Sequence, residues 1–135
     1  MGVFKDDLEA NTYLAGIFEL AMKDGPLSDE LAASGVVLQV NYTDPQTQIT
    51  IDMPNKDVFI GACGMKPTVE MFMTADMGNQ FWLGKLNLAV AMSRGQIRAK
   101  GPVPKILKLV PVAKKLFPRY AELLRDNGRD DLLGA

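Results

Sequence analysis

The chain has 135 residues, with 15 Lys and Arg against 16 Asp and Glu, a net charge of −1. That length suits a single domain, residues 1–135, able to bury enough surface to need no disulfide or metal staple. Histidine is absent and cysteine occurs once, which excludes Ser-His-Asp and Cys-His catalysis, His-ligated zinc, proximal-His haem and multi-cysteine metal sites.

In chain order, the first predicted element is a helix from Asp6 to Lys23. Ala10, Leu14, Ile17, Phe18 and Ala21 form its apolar stripe, and Gly25-Pro26 stops it. Ser28 is expected to cap a short helix, Asp29 to Ala33. Four strands follow: Val36–Tyr42, Gln48–Met53, Asp57–Cys63 and Thr68–Thr74, separated by Pro, Gly and Asn turn signals. Short turns between consecutive strands predict an antiparallel meander. Asp76 is the expected cap of a helix reaching Leu83. A helical turn, Leu88–Ser93, leads to a fifth strand, Gln96–Lys100. From Pro104 one face carries Ile106, Leu109, Val110, Ala113, Leu116, Phe117, Tyr120, Leu123 and Leu124. Pro111 and Pro118 must kink or split this helix, because each removes a donor and clashes one turn back. Gly128 ends it, leaving a core of residues 6–127 and a frayed tail, 128–135. Helices laid on one mostly antiparallel sheet make an α+β layout.

The near-zero net charge conceals a division. Residues 1–80 hold 4 Lys/Arg and 12 Asp/Glu, a net of −8; residues 81–135 hold 11 and 4, a net of +7. Between Met77 and Ala121 there are nine bases and no acid. Such a basic half can dock on an anionic membrane, or can be a solvated face balanced by the acidic half. For docking, Lys105, Lys108, Lys114 and Lys115 are the candidates, together worth roughly 4 kcal/mol at about 1 kcal/mol each. Nucleic-acid binding fits poorly, since no aromatics are interleaved with the bases and the pI is acidic. Four methionines (Met65, Met71, Met73, Met77) fall in one segment. Flexible thioethers suit an adaptable apolar cavity and serve equally as core filler. Cys63, in an apolar run, reads as a structural thiol, and a lone cysteine fits a reducing, cytoplasmic setting. No targeting segment is visible, and the longest apolar run is far below the ~18 residues of a membrane span.

Between Thr68 and Leu109 the chain shows a strand, a capped helix, Gly84-Lys85-Leu86-Asn87, Ala91-Met92, Gly95, then Ile97 to Gly101 and a helix from Pro104. In this order and spacing it resembles the sterol carrier protein 2 family over residues 6 to 120. Pro102-Val103-Pro104 departs from that pattern, standing where the family often has an acidic residue and a more regular helix start. No peroxisomal signal follows, unlike in the eukaryotic members.

The resemblance implies a five-stranded sheet covered by helices and enclosing an apolar tunnel. The tunnel would take a sterol, fatty acid or fatty acyl chain without cofactor or metal. The residues expected to line it are Phe18, Met71, Met73, Phe81, Trp82, Leu86, Leu88, Met92, Ile106, Leu109, Val110 and Phe117. Burial of a chain of ~15 methylenes would supply on the order of 12 kcal/mol before the costs of binding, so affinity needs no fixed polar constellation. A carrier is therefore the expected function. The alternative is a small cavity enzyme of isomerase or cyclase type, working through Asp52, Asp57, Glu70 or Tyr42. A third reading is an accessory module presenting lipid to a partner enzyme.

Overall fold

Asp6 opens the first helix, its carboxylate accepting the Glu9 amide N–H at 2.8 Å. The computed structural model describes residues 2–134. The expected first helix is two, α1 (Asp7–Leu14) and α2 (Gly16–Lys23), joined at Ala15. The helical ladder passes through the joint, from Ala15 N–H to Asn11 O and from Glu19 N–H to Ala15 O, both at 3.0 Å. All five residues of the expected stripe are buried. Gly25-Pro26 does not merely stop α2; it starts α3 (Gly25–Ala33). Asp24 is the cap, accepting the Leu27 N–H at 3.1 Å, and Pro26 lies in the first turn, where its missing N–H costs nothing. Ser28 sits inside the helix and bonds back to Gly25 O.

The sheet contains β1 (Val37–Thr43), β2 (Thr47–Asp52), β3 (Asp57–Ile60), β4 (Val69–Thr74) and β5 (Arg98–Lys100), in the order β3-β2-β1-β4-β5. Three of its pairings are antiparallel, but β1 and β4 run parallel, so the first four strands are not a meander. Residues 61–68 carry the chain from the β3 edge to the far side of β1 instead of turning back beside β3. Thr68 pins the arrival, with its N–H on Val37 O at 2.8 Å and its hydroxyl accepting the Val37 N–H at 3.2 Å. The parallel register sets Leu38, Val40 and Tyr42 beside Val69, Met71 and Met73. Side chains alternate along strands, so these six share one face and form a continuous apolar floor. Cys63 lies in the crossing segment, half-buried, rather than in a strand.

Thr74, not Asp76, caps α4 (Ala75–Trp82), accepting the Met77 N–H at 3.2 Å. Asp76 is in the first turn and accepts the Val3 N–H at 2.9 Å. α5 (Leu88–Ser93) is capped by Asn87. At Gly101 the backbone has φ +106°, and a Cβ would stand 2.4 Å from Thr68 O, so only glycine fits that approach.

The prolines split the last helix, as their chemistry requires. Pro104, Pro111 and Pro118 fall seven residues apart, each in the first turn of α6 (Val103–Leu107), α7 (Val110–Lys114) and α8 (Phe117–Asp126). The expected frayed tail is instead a 3-10 helix, Asp130–Gly134, with Leu132 buried. Arg129 holds it, bonding the Glu9 carboxylate, Val3 O at 2.9 Å and Asp131. Burial alone would raise the Glu9 carboxyl, but hydrogen bonds from Arg129 and the Lys5 amide hold it below the usual carboxylate range. A polar tail looks dispensable in sequence; one arginine with partners on three segments makes it part of the fold.

Candidate functional site: an apolar cavity

The helices cover the floor made by β1 and β4 but do not fill the space above it. Leu38, Val40, Tyr42 and Met71 form the bottom of a cavity of about 80 Å³. Ile106, Leu109, Val110, Ala113 and Leu116, from α6, α7 and their junctions, form the roof. Phe18, Leu31, Met53, Phe81, Trp82 and Leu88 close the sides. No Asp, Glu, Lys or Arg lines it.

Trp82 is the corner of the site. It meets Phe18 edge to face at 5.3 Å, Phe81 at 5.1 Å and Phe117 at 6.1 Å, and it stacks on Tyr120 at 6.2 Å. Such aromatic pairs stabilise beyond their buried area, so this side of the cavity has a firm frame. The Tyr120 hydroxyl donates to Asn79 Oδ1 at 2.7 Å, which satisfies the buried phenol. Burial pushes the Tyr42 and Tyr120 phenols well above their ordinary value, so both stay neutral.

Phe81, Leu88 and Val110 also border a second, outer hollow of about 550 Å³. Its rim is polar and basic, with Lys85, Asn87 and Lys114, and no acid lines it. An apolar cavity thus shares a wall with a polar, cationic hollow.

No family model matches the sequence, and no curated protein matches it either. Solved structures do. Sterol carrier protein 2 from Yarrowia lipolytica, in its apo form, superposes with a TM-score of 0.62 at 16% identity, covering 73% of this chain and 85% of that one. The fold is that of sterol carrier protein 2. A sterol carrier protein domain of Helicoverpa armigera agrees, with a TM-score of 0.60 at 20% identity over 78% of this chain and 86% of that one. So does sterol carrier protein 2 of Aedes aegypti in complex with palmitate, at 0.51 and 16% over 65% and 91%.

Within this sterol-carrier fold, nine of the residues singled out from sequence line the cavity: Phe18, Met71, Met73, Phe81, Trp82, Leu88, Ile106, Leu109 and Val110. Leu86 and Phe117 line the outer hollow, and Met92 borders a separate surface depression beside Phe72. Sequence reasoning did not single out Leu38, Val40, Met53 or Leu116 as lining. The period-two run Leu38-Val40-Tyr42 carried that signal, but an ordinary core strand reads the same way. Of the carboxylates weighed for catalysis, Asp52 is buried and takes the Asn55 amide groups, while Asp57 and Glu70 also lie off the cavity. Of those four candidates, Tyr42 alone lines it. Among the described residues no three acidic or thiol groups gather as a cation site, and no helix is long and apolar enough to cross a membrane.

The four lysines weighed for docking are all exposed. Lys115 is engaged with Glu30 at 3.1 Å, and Arg119 and Arg129 likewise reach back to Asp24 and Glu9. The basic half is therefore partly balanced by the acidic half. Lys105, Lys108 and Lys114 make no ion pair with a described residue.

Proposed function

We propose that the protein carries a lipid, with a sterol, fatty acid or fatty acyl chain held between the β1–β4 floor and the α6–α7 roof. The observation behind this reading is the cavity itself: aliphatic, aromatic and thioether side chains, with no charged group among them. Such a surface favours hydrocarbon and offers no acid–base pair for a reaction, so carriage accounts for it better than catalysis does. Its about 80 Å³ sets a condition. A cavity of about 150 Å³ holds one benzene ring, so a long chain enters only if the lining moves apart. Methionines at three positions (Met53, Met71, Met73) and a roof of five-residue helices make that displacement cheap. Lys105, Lys108 and Lys114, outside that roof, would bring it to an anionic membrane for loading and release.

Native mass spectrometry of gently purified protein should show a lipid adduct, and cis-parinaric acid should gain fluorescence on titration. A clean apo mass together with no fluorescence gain would sink the carrier reading.

A further inference from the structure

The wall of the cavity is almost wholly apolar, whereas the wall of the outer hollow mixes apolar and polar surface. Phe81, Leu88 and Val110 line both spaces, so these three residues are the partition between them. They belong to three separate elements, α4, α5 and the start of α7, and none lies in the sheet. α5 and α7 are only six and five residues long, so small shifts of short helices open the partition. The charge of the outer hollow is one-sided, since its charged lining residues are Lys85 and Lys114. Lys85 donates to Leu133 O at 2.9 Å, which ties it to the tail. Lys114 and Lys115 are neighbours with different commitments. Lys115 pairs with Glu30, and Lys114, the one at the hollow, is exposed and makes no ion pair with a described residue.

An ionised head has no counter-charge in the cavity, and burying it there unpaired is far more costly than burying hydrocarbon. One partition away, beside Lys114, the same head keeps its water and gains a cation, while its tail stays among apolar side chains. A single lysine without an acidic partner matches a single negative charge, that of a carboxylate. We infer that the outer hollow is the head-group subsite of the cavity: a single-chain lipid with a carboxylate head enters tail first between Phe81, Leu88 and Val110, and its head stops at Lys114. This rests on the carrier reading and names the class and direction of the lipid within it.

The test is fluorescence titration of the full chain at pH 8 with two probes of one chain, cis-parinaric acid and its methyl ester. Lys114→Gln removes the charge and should weaken the acid about three- to fivefold, the upper range of one exposed ion pair, while the ester binds as before. Lys114→Glu puts a like charge in its place and should weaken the acid further, again without moving the ester. Lys23→Gln is the control. Lys23 lies exposed at the end of α2 and lines neither space, so removing its charge should leave both probes unchanged. Acid binding that ignores both Lys114 variants would overturn the inference, because the head would then sit elsewhere. An equal loss of acid and ester would overturn it too, since it would make Lys114 a support of the fold. An effect of Lys23→Gln on the acid as large as that of Lys114→Gln would replace the subsite by the overall charge of the molecule. If neither probe gains fluorescence with the wild-type protein, the failure is a different one, because the carrier reading then falls together with this inference.

Discussion

β1 is a central strand, paired along its length with β2 on one side and β4 on the other. Its cavity-facing residues, Leu38, Val40 and Tyr42, are all buried. Across the cavity, α6 and α7 are five residues each, neither has a side-chain cap, and α7 contributes no fully buried residue. Isolated helices this short are far below the length at which they hold themselves together. One wall is therefore fixed by backbone pairing, and the other depends on the side chains beneath it. A cavity that must widen to take its ligand has a wall that can yield and a wall that keeps its shape.

The largest expected effect comes from testing the two walls against each other. Leu38→Ala empties a buried site in the paired floor and should cost about 2–5 kcal/mol. Leu109→Ala removes the same atoms from a half-buried position at the α6–α7 junction, where the roof can settle into the gap. It should cost about 1 kcal/mol. Urea denaturation of both variants checks this. Equal losses would mean that the roof is packed as firmly as the floor.

A smaller effect separates the roof from the tail. The Arg129 clasp ties the 3-10 helix to Val3 and α1, giving this end an anchor that α6 and α7 lack. Because the Glu9 carboxyl is held below its ordinary value of 4.5, its contribution is present above that value and is lost as pH falls through the lower, folded-state value. Glu9→Gln should remove about 1–2 kcal/mol at neutral pH. It should also flatten the acid side of the pH–stability curve. Thermal melts from pH 7 down to about 3 measure both. An acid limb as steep as in the wild-type protein would assign that pH dependence to other carboxylates.

The contrast between the walls was half legible in the sequence. Pro111 and Pro118 announce a broken helix, since a missing donor and a clashing ring act locally. The faces of β1 and β4 follow from alternation, which is local as well. What is not local is partner choice. The apolar face of β4 fits beside β1 or β3 equally well, and the decision came from residues 61–68 crossing the sheet and from Thr68 meeting Val37. Caps were ambiguous for a similar reason. Thr74 and Asp76 are both capping types, and the contact between Asp76 and Val3, 73 positions away, settles which one is free for the role. At the site, the amphipathic helix face exposed Ile106, Leu109 and Val110 to inspection. The floor stayed hidden, because a strand that lines a cavity and a strand that lines a core have the same pattern.

The smallest stability effect tests how the roof is fastened. Lys115, just after α7, reaches Glu30 on α3 at 3.1 Å, with both side chains at least half exposed (60% and 50%). An exposed pair of this kind contributes about 0–1 kcal/mol and is screened by salt, so Lys115→Ala should barely move the urea midpoint. Its effect on the roof should be easier to see. α7 has no cap and no fully buried side chain, so this pair is one of few specific links between it and the rest of the molecule. Loss of a few tenths of a kcal/mol is negligible against the global stability of a domain but large against the free energy of opening one short segment. Hydrogen exchange in α7 should therefore quicken in Lys115→Ala while β1 exchanges as before. Adding about 0.5 M salt to the wild-type protein should reproduce the change, since the same attraction is being weakened. If exchange in α7 and β1 shifts together, the roof opens only with the whole fold, and the distinction between the two walls collapses.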